Sequence, residues 1–365
     1  MIRRYLPKNL EELILWYERR VAPFSLLAGF IVDNVLFRTI DLFATTVALT
    51  LYLTCAIAGL FLLNLVSTGR VRWMPMLHIA PFFPVIVQFS FGGIFSGFFV
   101  LYSESATIAV SWVSVVILAA LLIGNERFRR HYMQFSFQVG ILFIAIFGFL
   151  IFLVPFALNR ISPSMFLVSG SASVALIALY VAAMWRVMPE LVETNLIRIA
   201  YSTGAIFLAV NILYFTNAIP PLPLSLKEAG VYHRVVRVGD MYHVLAESAQ
   251  WYREYLPFGR VFHRTPGESM YVFSSVFAPA GLGTTIYHEW QQYDEAAKKW
   301  VTVSTVEFPI VGGRGGGYRG YSLSSNSRSG AWRVNVLTAY GQVVGRTSFK
   351  VIDIPESVEL EERIL

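Results

Sequence analysis

The segment Gly312-Gly313-Arg314-Gly315-Gly316-Gly317-Tyr318-Arg319-Gly320-Tyr321-Ser322 sets two guanidinium groups and two phenol rings among glycines. Arginine's planar fork binds carboxylate or phosphate oxygens in pairs, and tyrosine offers an apolar ring with a hydroxyl at its tip. Arg314, Tyr318, Arg319 and Tyr321 are therefore candidates for holding an anionic or sugar ligand, a phosphate-bearing lipid headgroup included. Nucleotide binding is excluded. The run lacks the Lys-Ser/Thr end of a phosphate loop and leads into a strand pattern rather than a helix. The alternative is a long hairpin loop whose glycines take positive φ.

Histidine offers the next chemistry. Tyr232-His233 and Tyr242-His243 repeat each other on either side of Gly239-Asp240, a pair suited to a two-residue hairpin turn with glycine first. In that register Val238 opposes Met241, Val236 opposes His243 and His233 opposes Ala246, so the two histidines face opposite sides of the sheet and form no metal pair. Nothing in the sequence fixes His263 or His288 near either one. There is no HExxH, no GxSxG and no pair of carboxylates deep in an apolar run. No catalytic residue, metal or cofactor is assigned, and enzymatic activity is disfavoured.

Polar residues also interrupt the apolar first half. Asp33, Arg38 and Asp41 fall together: the first two suit an ion pair between helix ends, and Asp41 suits a helix cap. The alternative is an ion or proton path, because ionisable groups within a bilayer are costly and functional by default. Gln88 precedes Gly92, Gly93, Ser96 and Gly97, small residues at four-residue spacing that let helix backbones approach closely. The basic loop Asn125-Glu126-Arg127-Phe128-Arg129-Arg130-His131 reads as a topology anchor touching anionic headgroups, or as a docking site for a cytoplasmic partner.

The elements that carry these residues follow from composition. Of 365 residues, 56% are hydrophobic and only 14% charged, against roughly a quarter charged in ordinary soluble chains. The net charge of +6 comes from residues lying mostly at the ends of apolar runs, which excludes a nucleic-acid patch. A lone Cys55 permits no intrachain disulfide. Residues 1–20 carry Leu6, Leu10, Leu13, Ile14 and Tyr17 on one helical face, which predicts an amphipathic interfacial helix.

A crossing helix needs roughly 20 apolar residues. Candidates are 21–38, 42–66, 75–101, 106–123, 135–155, 165–185 and 197–215, a bundle of about seven spans over 21–215, or six if 21–38 lies flat. The third is long enough to need tilt or a break, for which Pro81, Pro84 and Gly92-Gly93 are placed. Arg3, Arg4, Lys8, Arg19, Arg20, Arg70, Arg72, Arg127, Arg129, Arg130 and Arg186 fall on one side, against Arg38 and Arg160 on the other. That bias puts the N-terminus in the cytoplasm, and an odd span count puts everything after Phe215 in the periplasm of a bacterial envelope, away from ATP and NAD.

At Pro220-Pro221-Leu222-Pro223 the character changes, and 216–230 reads as a Pro-rich linker. Over 231–352 the apolar period becomes two, with strands at 232–238, 241–247, 270–278, 284–292, 300–310, 318–323, 331–337 and 343–352. In Trp332-Arg333-Val334-Asn335-Val336 the apolar residues take one face, with Arg333 and Asn335 outward. The pattern predicts an all-β immunoglobulin-like sandwich without the usual inter-sheet disulfide, its core built on Trp290, Trp300, Phe273 and Trp332. Residues 353–365 read as a loosely ordered acidic tail.

Several strings carry a resemblance. They are His288-Glu289-Trp290, Trp300, the glycine-rich run 312–322, Gly330-Ala331-Trp332-Arg333-Val334-Asn335-Val336, Gly341-Gln342-Val343-Val344-Gly345-Arg346 and Phe349-Lys350-Val351. Together they resemble the bacterial family called Domain of Unknown Function 2914. The apolar half is similar to that domain's usual partner in Gly29-Phe30 with Asp33, Arg38-Thr39-Ile40-Asp41, Gln88-Phe89-Ser90-Phe91-Gly92, Asn125-Glu126-Arg127-Phe128 and Pro220-Pro221-Leu222-Pro223-Leu224. The resemblance implies a multi-spanning inner-membrane protein with a small C-terminal β domain and no established activity. It supplies no catalytic residues.

Two functions fit. The first is a non-catalytic inner-membrane protein whose periplasmic β sandwich binds an envelope component: a glycan, a lipid headgroup or another protein, with membrane lipids as its standing partners. The second is a transporter or membrane-embedded enzyme with a polar path near Asp33, Arg38, Gln88 and Glu104.

Overall fold

A computed structural model describes residues 42–70, 73–105, 116–121, 134–218, 224–248, 260–278, 283–311, 317–325 and 328–365. The expected interfacial helix at 1–20, the first span at 21–38, the loop at 125–131 and the Pro220–Pro223 segment lie outside these residues. The chain divides into two compact units, with the main boundary between Phe215 and Thr216.

The first unit is helical: α1 (Leu42–Ser67), α2 (Met74–Ile79), a 3-10 turn (Ala80–Phe82), α3 (Phe83–Ser105), α4 (Phe135–Leu158), α5 (Pro163–Val187) and α6 (Pro189–Phe215). Among the described residues, five helical stretches are long and apolar enough to cross a membrane: Phe43–Ser67, Phe83–Leu101, Phe135–Leu158, Pro163–Val187 and Pro189–Phe215. They fall on the expected runs 42–66, 75–101, 135–155, 165–185 and 197–215. Of the expected span 106–123, only 116–121 is described, and it is helical.

Proline explains the boundaries. The long third run breaks at Pro81, where the 3-10 turn intervenes, whereas α3 continues through Gly92-Gly93. Both α5 and α6 begin on proline, whose missing N–H costs nothing at a helix start. Helix α4 carries Pro155 in its last turn and is followed by Asn159 at φ 50°, a left-handed stop.

The second unit is all β: β1 (Ser225–Tyr232), β2 (Arg234–Val238), β3 (Met241–Glu247), β4 (Val261–Arg264), β5 (Met270–Phe277), β6 (Gly283–Asp294), β7 (Lys299–Val311), β8 (Tyr318–Ser324), β9 (Gly330–Thr338), β10 (Val343–Asp353) and β11 (Leu360–Ile364). They form sheets of order β1-β5-β8, β4-β10-β9-β6-β7 and β11-β3-β2. The β2–β3 hairpin has the expected register, Val238 opposite Met241 and Val236 opposite His243. Gly239 at φ 63° supplies its turn.

The first two sheets pack face to face. Leu226 and Val276 of one meet Ile286, Val336 and Val344 of the other, and Met270 and Val272 meet Trp290, Trp332, Val334 and Phe349. The third sheet covers the other face of β5, where Val235, Tyr242 and Val244 pack on Phe273. Burial of these side chains at roughly 25 cal/mol per Å² is the main driving force for that layering.

Three expectations are corrected. The stretch 353–365 is not merely a loose acidic tail: β11 pairs with β3, and Leu365 packs against the Tyr242 cluster. Strand β1 begins inside the segment read as linker, because Leu226 is needed in the core. Trp300 is not a core residue. Trp290 faces inward opposite Ser304, but a bulge after Trp290 puts Thr302 opposite the outward Gln291. Ser304, Val306 and Phe308 thus face inward, whereas the one-residue shift turns Thr302 and Trp300 to the outer face.

Candidate functional site

Arg314, Asp33, Arg38 and Asp41 lie outside the described residues. The other members of the glycine-rich candidate set sit on β8, where alternation separates them. Tyr318 points inward and packs on the cluster containing Val276 and Ile286. Arg319 and Tyr321 point to the opposite face. Arg319 Nη1 donates to the main-chain oxygens of Leu365 (3.1 Å) and Asp240 (3.4 Å), and its own carbonyl accepts the Tyr242 hydroxyl at 3.0 Å. Tyr321 lies edge-on to Tyr242, with ring centroids 6.3 Å apart. Arg319 thus ties the β2–β3 turn and the end of β11 to β8, and the described residues of this set do not converge on one face.

In the helical unit, Gly92, Gly93, Ser96 and Gly97 lie along α3 with Gln88 one turn before them. Gly93 meets Tyr52 of α1 so closely that a Cβ there would stand 2.6 Å from the ring. A second polar contact was not read from the sequence: Asn64 Nδ2 donates to Gln138 Oε1 at 2.5 Å, both side chains buried, joining α1 to α4.

A different array occupies the outer face of the five-stranded sheet. Because Ile286, His288 and Trp290 face inward on β6, Glu289 and Gln291 face outward, and Arg333 and Asn335 do the same on β9. Register then aligns Glu289 with Asn335, Gln291 with Arg333, and Asn335 with Arg346 of β10. The side chains bond in sequence across the strands. Thr302 Oγ1 donates to Glu289 Oε1 (3.0 Å), Asn335 Nδ2 to Glu289 Oε2 (2.8 Å), and Arg346 Nε to Asn335 Oδ1 (2.6 Å). Arg333 Nε donates to Gln291 Oε1 at 2.6 Å, and its guanidinium lies 4.2 Å above the Trp300 ring. The two Nη groups of Arg333 make no hydrogen bond among the described residues.

The charges in this row do not cancel, since two guanidinium groups share one carboxylate. Burial and the neighbouring Arg346 charge pull Arg333 down to about 10, against the opposing effect of Glu289. Burial also lowers Arg346, again opposed by Glu289. Both remain cationic near neutrality. Chemically, the row is a set of pre-positioned amide, hydroxyl and carboxylate groups beside a planar, partly desolvated cation. Such a row can hold a ligand by hydrogen bonds and charge.

Two histidine arrangements complete the domain. His288 is fully buried, its Nε2 2.7 Å from Ser274 Oγ and its Nδ1 2.8 Å from Ser322 Oγ, which also accepts Trp290 Nε1 at 2.9 Å. Burial pushes its pKa down to about 3, so it is a neutral core group sealed from substrate. His233 lies between Glu268 (2.5 Å) and Glu247 (3.3 Å), and Glu247 also meets His263 Nδ1 at 2.8 Å. His243 is elsewhere, 2.8 Å from Glu362. Among the described residues no three His, Cys, Asp or Glu side chains are placed to hold a metal ion.

No curated protein matches the chain. Among solved structures, a beta-glucosidase from Listeria innocua in complex with isofagomine is 13% identical, with a TM-score of 0.19 over 31% of this chain and 16% of that one. The Pseudomonas fluorescens alkylpurine DNA glycosylase AlkC, bound to DNA containing an abasic site analog, is 11% identical, with a TM-score of 0.20 over 84% of this chain and 98% of that one. Likenesses this weak carry no argument about fold or function. A family model described as "Protein of unknown function (DUF2914)" matches residues 283–351. That stretch runs from β6 to β10 and contains the whole outward row from Glu289 to Arg346. The similarity to DUF2914 is therefore to this segment of the β unit, residues 283–351.

Proposed function

We propose that this is a non-catalytic bacterial inner-membrane protein that displays a binding domain. About seven spans anchor it, with the N-terminus in the cytoplasm. The β unit stands in the periplasm as an immunoglobulin-like sandwich bearing an extra three-stranded layer. Its ligand is an envelope component: a glycan, a lipid headgroup or another protein. The apolar helices and the distribution of basic loop residues support the anchoring.

One observation carries the binding reading: the Arg333 guanidinium sits 4.2 Å over Trp300, its Nη groups without a hydrogen bond among the described residues, within a cross-strand row of polar side chains. A guanidinium fixed in this way is pre-organised, so less rotamer freedom is lost when an anion arrives. The glycine-rich segment yields its place in this reading, because Arg319 is engaged in holding sheets together and Tyr318 is packed inward.

The test is in-cell crosslinking from a photoreactive residue at Ser348, which lies opposite Arg333 on the same face and is exposed. Capture of an envelope component from Ser348, and not from the exposed Tyr340, is the expected result. No adduct, or the same adducts from both positions, would overturn the reading. A tag placed after Leu224 should be reached by an impermeant reagent in spheroplasts.

A further inference from the structure

We infer that the outward row on β7-β6-β9-β10 takes an acidic saccharide, with a sugar carboxylate on Arg333 and sugar hydroxyls read by the groups beside it. This deepens the binding reading above and rests on it. The first argument is the geometry of the cation. Arg333 is held at Nε by Gln291 and from below by Trp300, which leaves the Nη edge for a partner of matching planarity. A carboxylate meets that edge with two parallel hydrogen bonds.

The second argument is the row itself. From Thr302 through Glu289 and Asn335 to Arg346, four adjacent strands carry hydroxyl, carboxylate, amide and guanidinium groups in one line, the buried Asn335 amide fixing Glu289 and Arg346 in place from within the row. Strands lie about 4.8 Å apart, so the line is roughly 14 Å long, the scale of a short oligosaccharide rather than of a single ion. Glu289 adds an acceptor that can take sugar hydroxyls.

The third argument is what the row lacks. Glu289, Gln291, Thr302, Arg333, Asn335, Arg346 and Ser348 are all polar, the aromatic members Trp300 and Tyr293 pack against each other at 5.3 Å, and the aliphatic neighbours are single side chains, Leu337 beyond Asn335 on β9 and the exposed Val303 at the β7 bulge. A lipid would need apolar surface beside the cation to seat its chains. The lowered pKa of Arg333 agrees with a cation whose partner is supplied from outside, though the geometry stands without it.

The experiment uses the full chain in zwitterionic lipid nanodiscs, titrated by calorimetry with oligogalacturonate, neutral dextran oligomers, inorganic phosphate and phosphatidylglycerol vesicles. Oligogalacturonate alone should bind. Arg333→Gln should weaken it by about tenfold or more, since a charge-assisted hydrogen-bonded partner is lost. Arg333→Lys keeps the charge without the fork and should lose a smaller factor, and Arg237→Gln, on the third sheet, should lose nothing. Near-UV circular dichroism checks that each variant is folded. Equal binding of dextran, binding only of phosphate or of vesicles, or full affinity in folded Arg333→Gln and Arg333→Lys would overturn the inference. Capture of a neutral glycan or a protein at Ser348 would also overturn it, while leaving the broader binding reading in place.

Discussion

The Nδ1 of His233 lies 2.5 Å from Oε1 of Glu268, on an imidazole whose side chain is only 5% exposed. Its other nitrogen faces Glu247. A neutral imidazole has one donor and one acceptor, so only the imidazolium donates to both carboxylates. Burial pulls its pKa down, but the hydrogen bonds and charges of Glu247 and Glu268 outweigh it, and the net shift is upward from 6.5. Burial alone would raise the two carboxyls, yet the hydrogen bonds they accept hold both below 4.5.

The pH dependence of stability follows from these signs. A histidine raised in the folded state contributes fully below 6.5, and the contribution is lost as pH rises through its folded pKa. His288 acts oppositely. It titrates near 3 when folded, so stability falls as pH drops from 6.5 toward that value. The carboxylates add to the acid loss below 4.5. The β unit should therefore be most stable near pH 6.5, as read from denaturant midpoints followed by near-UV circular dichroism. His233→Gln should flatten the alkaline limb, weaken the carboxylate part of the acid limb and leave the part due to His288. A stability that still declines equally above pH 6.5 in that variant would rule out the imidazolium.

Ser322 is the second test of the buried interior. Its hydroxyl serves both His288 Nδ1 and Trp290 Nε1, so Ser322→Ala strands two buried polar groups at once. The expected cost is about 2–4 kcal/mol. Ser325→Ala, which removes only an exposed contact with Ser269, should change stability by less than about 0.5 kcal/mol. Similar denaturation midpoints for the two variants would show that the shared hydroxyl is dispensable.

How much of this could be read in advance depended on sequence distance. The β2–β3 register was legible because Gly239-Asp240 encodes it locally. The outward direction of Arg333 and Asn335 was legible from alternation within one strand. Their partners were not, since Glu289 and Arg346 reach Asn335 only through registers set by the whole sheet. Trp300 misled because a two-residue period, continued through a bulge, gives the wrong face. Likewise Glu247 and Glu268 look like surface carboxylates until β3 and the β4–β5 turn bring them to His233.

The Asn64–Gln138 contact makes a separate prediction for the helical unit. Both amides are buried, and Asn64 Nδ2 bridges the Leu60 carbonyl of its own helix and Gln138 Oε1 of α4. Asn64→Leu or Gln138→Leu should each destabilise by about 1–2 kcal/mol, because the buried hydrogen bond between the two helices is lost. The double replacement should recover much of that loss, giving a coupling energy of opposite sign to the single effects. Additive losses in the double variant would show that the two amides act independently.

The last strand provides a test of assembly in the β unit. Tyr242 and Leu365 exchange main-chain hydrogen bonds of 2.9 and 3.1 Å, Glu362 meets His243, and Leu365 covers the cluster of Val235, Tyr242, Val244 and Phe273. Deleting residues 359–365 would leave β3 as an unpaired edge, uncover that cluster and remove the stronger of the two contacts made by Arg319. Amide exchange across Met241–Glu247 should then become about tenfold faster, while β9, buried in the opposite sheet, keeps its protection. If exchange in β3 is unchanged after the deletion, the third sheet is held by the β2–β3 hairpin and its apolar contacts alone. The acidic terminal segment would then contribute no more than its charge.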